Sequence, residues 1–242
     1  MNIIKNGNKK MQQTPPHDQH NPDLLRIIPT DCKKIIEVGC SSGALAREYK
    51  KINPECDYYG VEIDPSYCEM ARVYCDRCAC LDIELATQDF WETQSDRDCW
   101  VFGDTLEHLK NPEAVLQKIA TLIATQKCGP GYIAACIPNM QHWSIQARLN
   151  IGDLRYQSSG LLDRTHLRWF TRQTMIELFS NSGFDVISGI PRVFNEPLRE
   201  KYLPLIGSLA KVSGYDPNQA INDSIPLQWV FLARSKIRNE RP

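Results

Sequence analysis

Short apolar stretches alternate with helical patterns along most of this chain, and that alternation constrains the fold more than any other feature. The apolar stretches are 34–38 (KIIEV), 57–61 (DYYGV), 77–81 (RCACL), 99–103 (CWVFG), 131–137 (GYIAACI), 184–190 (FDVISGI) and 227–234 (LQWVFLAR). Helical patterns fall between them at 43–52, 65–74, 112–126, 140–150 and 172–182. Pro65 and Pro112 stand where a first helical turn tolerates proline, and Gly183 stands where a helix commonly closes on glycine. Strands joined through helices make βαβ units. The expected fold is therefore α/β, a doubly wound and mostly parallel seven-stranded sheet covered on both faces.

The 242 residues suffice for one large domain with a real core. The polar, proline-bearing start reads as a loose tail over 1–20, leaving 21–242 as a single domain. Two connections exceed what a minimal α/β domain needs, 151–171 and 191–226. Long connections of this kind are often lids or binding loops. With the helical pattern before the first of them, they read as substrate-capping segments over 140–171 and 191–226; the plainer reading of 191–226 is a helical cap with packing duties alone.

A formal net charge of −1 advertises no nucleic acid or anionic membrane as a partner. No apolar run reaches the roughly 18 to 20 residues of a membrane span, and the N-terminus carries no signal-peptide core, so a cytoplasmic location is expected. There the 10 cysteines read as reduced thiols used as small apolar groups. Cys75, Cys78 and Cys80 form CxxCxC, but a structural zinc wants four ligands and no second pair follows. Cys56 or Cys68 would complete a site only by chance of folding, so no metal is assigned.

Residues 37–43 (EVGCSSG) end the first apolar stretch and open a helical pattern. Gly39 and Gly43 permit a tight turn and close backbone approach to a ligand. In a doubly wound sheet, ligands sit outside the carboxyl ends of the strands. The second stretch ends in Glu62, about 20 residues after the glycines, where a carboxylate can accept from both ribose hydroxyls of an adenosine. Asp82 ends the third and can accept from an adenine amino group. GDTLEHL ends the fourth. Four successive strand ends thus bring acidic residues to one cleft.

This set resembles the class I S-adenosylmethionine-dependent methyltransferases, of the small-molecule type. The resemblance covers about residues 30–190, extended by the last strand to about 235. Its carriers are EVGCSSG, GVEIDP (Gly60–Pro65), LDI (Leu81–Ile83), GDTLEHL followed by Asn111-Pro112, PNMQHW, and GLLDRTHLRWFT with a later GF. The family's turn often has a third glycine where Ser41 stands here. The resemblance implies a Rossmann-like fold and S-adenosylmethionine as cofactor. It implies cofactor-binding positions at Glu37, Gly39, Cys40, Ser41 and Gly43, at Glu62 and Ile63, at Asp82 and Ile83, and at Gly103, Asp104 and Thr105. It places Glu37 near the methionine end, where a carboxylate can meet the ammonium directly or through water. A dinucleotide would want three glycines and a pyrophosphate at the helix N-terminus.

Methyl transfer is an in-line displacement, so the protein mainly aligns the partners, and a hydroxyl nucleophile also wants a general base. His142, His166 and His108 are the candidate catalytic residues. The plainer reading gives His108 a cofactor-facing or structural duty, His142 an exposed helical place, and His166 the duty of pinning a lid. Glu107 and His108 would make only two adjacent ligands for Mg²⁺, too few to assign one. Tyr156, Asp163, Arg168 and Trp143 are the candidate substrate residues, with Asp163 expected to hold His166 or Arg168. The expected function is methyl transfer to a small-molecule acceptor of natural-product or sugar type, at oxygen rather than nitrogen, and a homodimer is allowed. The rival readings are a modifier of protein or tRNA, and a cofactor-binding fold without catalysis.

Overall fold

The computed structural model describes residues 18–125 and 131–236. The strands are β1 (Lys34–Val38), β2 (Asp57–Glu62), β3 (Arg77–Cys80), β4 (Cys99–Gly103), β5 (Tyr132–Pro138), β6 (Phe184–Arg192) and β7 (Gln228–Ser235). They form one sheet in the order β3-β2-β1-β4-β5-β7-β6, parallel except that β7 runs antiparallel to both neighbours. All seven expected strands are present, with ends within a residue or two of the sequence reading. The expected doubly wound, mostly parallel sheet is the observed one.

The helices are α1 (Pro22–Ile27), α2 (Ala44–Ile52), α3 (Pro65–Ala71), α4 (Gln88–Thr93), α5 (Pro112–Thr125), α6 (Trp143–Asn150), α7 (Arg172–Asn181), α8 (Arg199–Val212) and α9 (Pro217–Ser224). Their starts follow local chemistry. Asn21 caps α1 and Asp64 caps α3, each followed by proline in the first turn. Thr171 and Thr174 close a reciprocal capping box on α7. Helix α6 starts three residues later than expected because His142 is its cap, with Nδ1 facing the Ser144 amide. Two helices, α1 and α4, were not expected; α8 and α9 fill 191–226, where a helical cap was the plainer reading and no helix had been given bounds. Residues 1–17 of the expected tail lie outside the described residues, and Asp18–His20 belong to no helix or strand.

Two apolar clusters sandwich the sheet. Ile36, Val38, Trp100, Phe102, Ile133 and Phe231 face one, with α5 and α7. Ile35, Tyr58, Val101, Ala134 and Val230 face the other, with α1 and α2. Strands β1, β4 and β5 are therefore buried on both faces, which is why their apolar runs are nearly continuous.

The long excursion after β5 leaves and returns at one point. Asn139 forms a parallel bridge with Phe170, and the Met140 amide donates to Phe170 O at 2.8 Å. The Asn139 amide group also donates to Asp223 O and Pro226 O, both at 2.8 Å. One buried side chain thus fastens the root of 140–170 to the end of α9. Asn139→Ala is expected to lower unfolding free energy by about 2 kcal/mol, because two buried carbonyls lose their donor. Urea melts would show this as a shifted midpoint with an unchanged slope.

Candidate active site

Because β1 to β4 are mutually parallel, their carboxyl ends meet at one edge of the sheet. Leaving β1, the chain turns through three left-handed residues, Gly39 (φ 77°), Ser41 (φ 48°) and Gly43 (φ 79°). Gly39 requires glycine on space as well. A Cβ there would lie 2.6 Å from Thr105 Oγ1, whose hydroxyl donates to Val38 O at 2.9 Å. The Gly39 and Cys40 amides are both turned back onto Val61 O.

Glu62 organises this turn. Its Oε2 accepts from the Ser41 amide at 2.8 Å, and its Oε1 from the Ile63 and Asp64 amides at 2.8 and 3.0 Å. Beside it Ile63 is 47% exposed, an apolar side chain at the cleft. Asp82 accepts from the Glu84 amide and caps a short 3-10 turn, while Ile83 is buried in the core. The side chain of Cys40 also points inward, so only its backbone faces the turn. Asp104 takes a left-handed backbone (φ 53°) and accepts from Gln228.

Glu37 lies deeper than its expected role required. It is buried and accepts the Tyr58 hydroxyl at 2.9 Å. Burial pushes its carboxyl from the ordinary 4.5 up to about 8; Tyr58 opposes the rise and the nearby Glu62 adds to it. Between those two values the folded protein holds a proton that the unfolded chain releases. The stability is thus fully present below about pH 4.5 and lost as pH rises through about 8. Cofactor-free wild type is expected to lose on the order of 1 kcal/mol per pH unit across that window relative to Glu37→Gln, which keeps the shape without the charge. Denaturant midpoints at pH 5 to 8 would show the two proteins diverging; parallel curves would refute it.

The fold makes its most unusual polar cluster at the exit of β4. Glu107 is 1% exposed, and neither carboxylate oxygen has a partner among the other described residues. Burial and then Asp104 raise its pKa well above the carboxylate range, its own amide opposes this, and Asp163 adds to the rise. His108 and His166 stand beside it. His108 Nδ1 lies 3.1 Å from Thr165 O and His166 Nδ1 lies 3.2 Å from Leu161 O. A carbonyl only accepts, so in each ring Nδ1 carries the proton and Nε2 is left with its lone pair. One ligand atom from each of Glu107, His108 and His166 falls within 4.8 Å of the others. Burial lowers the pKa of both histidines, which favours the neutral rings. The loop carrying His166 is held by the Glu107 carbonyl, which accepts from the Leu167 and Arg168 amides. Where the sequence offered two adjacent candidate ligands, the fold brings a third candidate atom beside them, from His166, 58 residues along the chain from His108.

The remaining candidates separate. His142 has no exposed surface; Nδ1 lies 2.8 Å from Ser144 Oγ and Nε2 3.1 Å from Glu196 Oε2. The same Glu196 oxygen accepts the Trp143 indole at 2.7 Å. Both aromatic rings are thereby tied to the segment before α8, and the exposed helical place read for His142 is corrected. Asp163 is buried and accepts from the Thr165 amide and hydroxyl at 2.8 and 2.7 Å. It does not hold Arg168, which is exposed and donates to Lys110 O, nor the ring of His166. Tyr156 is exposed and stacks on Trp169 at 6.2 Å between ring centroids.

Sequence reasoning missed Glu84 and Glu196. Glu84 accepts from the Lys110 and Asn111 amides and so ties the exit of β3 to that of β4. Neither sits in a motif, and each acts on a partner that only the tertiary fold brings near. Among the described residues no helix is long and apolar enough to cross a membrane.

A family model described as a methyltransferase domain matches residues 14–189. No curated protein matches the chain in sequence. Solved structures do match in shape. An S-adenosylmethionine-dependent methyltransferase from Mesorhizobium loti aligns over 88% of this chain and 96% of that one, at 13% identity and a TM-score of 0.55. Magnesium protoporphyrin IX methyltransferase from Synechocystis, solved with S-adenosylhomocysteine, covers 89% and 80% at 11% identity and a TM-score of 0.55. The plantazolicin methyltransferase, also solved with S-adenosylhomocysteine, covers 84% and 76% at 14% identity and a TM-score of 0.51. At these identities the structures speak for the fold, and the family model carries the assignment: the chain belongs to the methyltransferase-domain family, as a class I enzyme that uses S-adenosylmethionine.

Proposed function

We propose that this methyltransferase acts on a hydroxyl of a small-molecule acceptor, with a divalent cation held by Glu107, His108 and His166. The observation that carries this reading is the buried carboxylate of Glu107, unpartnered and flanked by two imidazoles with free Nε2 atoms. An uncompensated buried carboxylate is costly, and a cation removes the cost. The donor set of one carboxylate and two imidazoles suits Mn²⁺, Fe²⁺ or Zn²⁺, and is compatible with Mg²⁺ through its oxygen donor. The backbone carbonyls on both Nδ1 atoms supply the orienting contacts that metal-binding histidines usually have.

The strand-end turn fits the cofactor. Gly39, Ser41 and Gly43 hold the turn in its left-handed course beside Glu62, and Ile63 offers an apolar surface for adenine. The carboxylate of Glu62 retains acceptor capacity for ribose beyond the three amides it holds. When bound, S-adenosylmethionine supplies an electrophilic methyl on a sulfonium. A cation beside the acceptor would lower its hydroxyl pKa, the task a general base performs elsewhere. In this reading His166 and His108 serve as ligands rather than bases, and His142 positions the segment 191–198 through Glu196. The Tyr156–Trp169 stack and Arg168 form the outer wall for the acceptor, with 140–171 and 191–226 as the cap. A small-molecule acceptor agrees with the near-neutral charge and with structural relatives named for magnesium protoporphyrin IX and plantazolicin.

The test is transfer from labelled S-adenosylmethionine to a panel of small phenols, catechols and sugars and their amine counterparts, with Mg²⁺ or Mn²⁺ and with EDTA. Cation-dependent labelling of hydroxyl acceptors is expected. Labelling of amines at a rate indifferent to EDTA would overturn both the oxygen preference and the cation.

A further inference from the structure

Gly60, in the middle of β2, lacks a side chain, and sulfur fills the space. A Cβ built there would lie 2.7 Å from Cys40 Sγ, 3.1 Å from Cys75 Sγ and 3.2 Å from Cys78 Sγ. Cys68 reaches in from α3, its Sγ 3.0 Å from Cys78 Sγ, and Cys40 Sγ lies 3.9 Å from Cys78 Sγ on another side. The fold thus breaks up the CxxCxC run. Cys80 is exposed and faces Ile63 O, while Cys40 and Cys68 join Cys75 and Cys78 from distant positions.

Two chemistries suit gathered thiols, a soft metal ion or oxidation. A tetrahedral zinc holds four sulfurs at about 2.3 Å, which closes them into one compact set. These sulfurs do not close. Among the described residues only Glu107, His108 and His166 bring three ligand atoms within 4.8 Å of one another. Cys78 stands instead between two buried thiols and is itself half-buried. The contacts with Cys40 and with the Cys68 S–H lower its thiol to about 7, against the opposing effect of burial. Burial and the bond to Cys78 push the Cys68 thiol up to about 12. Low pKa and partial exposure mark an attacking thiol, and a neighbour in contact marks a resolving one.

We propose that Cys78 and Cys68 are a peroxide-oxidisable dithiol whose state is felt by the glycine turn through Cys40. The Cys78 thiolate attacks one oxygen of hydrogen peroxide. The S–O bond forms, the O–O bond breaks, and hydroxide leaves to be protonated as water. Cys68 sulfur then attacks the sulfenic sulfur; the S–S bond forms and the S–O bond breaks. The departing hydroxide takes the Cys68 proton as a second water, so two thiols and one peroxide give one disulfide and two waters. The bond joins α3 to β3 and asks the sulfurs to close by about 1 Å, to the usual 2.05 Å. Cys78 then ceases to be a thiolate acceptor for Cys40, which sits inside the turn between Gly39 and Ser41. That last link rests on the cofactor site lying at this turn; the disulfide itself does not.

The experiment treats the reduced full-length protein with hydrogen peroxide, blocks remaining thiols and digests without reduction. Mass spectrometry is expected to show two thiols lost and one Cys68–Cys78 cross-link, reversed by dithiothreitol. Cys68→Ser and Cys78→Ser should each abolish it, and Cys80→Ser should not. Oxidation confined to Cys80, a Cys40–Cys78 link, or no intramolecular link would overturn the pair. Calorimetry with S-adenosylhomocysteine is expected to show a severalfold weaker affinity after oxidation, restored by dithiothreitol and insensitive to peroxide in Cys68→Ser. Unchanged affinity in a protein carrying the disulfide would overturn the coupling through Cys40.

Discussion

Glu107→Gln is expected to abolish cation binding and cut the methyl-transfer rate while leaving the cation-free protein as stable as wild type or more so. The signs follow from the site. Without a cation, wild type must hold a buried carboxyl in its protonated form with no partner from another residue, next to Asp104 and Asp163. An amide of the same shape removes that electrostatic cost. With a cation present, wild type alone gains. At 1 mM Mn²⁺ and a dissociation constant near 10 μM, the gain is about 2.7 kcal/mol. For a domain of this size each kcal/mol moves the melting temperature by about 2–4 °C, so thermal melts should rise by about 5–10 °C in wild type and stay level in the variant. Lewis-acid assistance is worth several kcal/mol of transition-state stabilisation, which corresponds to a rate loss of about 10²–10³-fold. His166→Ala should lose cation binding as well. A variant that still answers Mn²⁺ with the wild-type shift in melting temperature would remove the cation from this site.

Why the cluster escaped the sequence is a matter of distance along the chain. Glu107 and His108 are adjacent and were legible as a pair, but the third member of the cluster, His166, comes from a loop after α6. That loop returns only because the Glu107 carbonyl accepts two of its amides and Asn139 fastens its root. No periodicity encodes such a return. The central strands were legible for the opposite reason: burial on both faces turns Ile35, Ile36, Val38 and Trp100–Phe102 into local signals. A helical cap was legible over 191–226, but the bounds of α8 were hidden by its own residues. Pro204 and Gly207 both lie inside α8, and each argues locally against a helix. Packing overrides them. A Cβ on Gly207 would lie 2.9 Å from Ile221 of α9, so the glycine is where the two helices approach. The strand-end carboxylates were legible as positions but not as bonds. Glu37 spends one oxygen on Tyr58, a partner 21 residues away that no motif marks.

Glu62 provides the sharper test of the strand-end site, and Glu62→Gln is expected to harm it more than the loss of one ribose contact would. The carboxylate accepts from three backbone amides, of Ser41, Ile63 and Asp64, and each of its two oxygens takes part. Glutamine offers one oxygen and one NH₂. Whichever way the amide is turned, a donor faces a donor, at Ser41 or at the Ile63–Asp64 pair. Ser41 holds a left-handed backbone that is unfavourable for a residue with a side chain, so its amide contact is part of what keeps the turn in place. Hydrogen bonds to a charged acceptor are each worth about 1.5–3 kcal/mol. Loss of one, with repulsion in its place, should lower S-adenosylhomocysteine affinity on the order of 100-fold, equivalent to about 2.7 kcal/mol. Glu62→Ala leaves the same amides without an acceptor but opens room for water, so its loss should be the smaller of the two. The order matters more than the size. If alanine weakens binding more than glutamine does, the carboxylate acts on the ribose alone and the turn holds its shape without it.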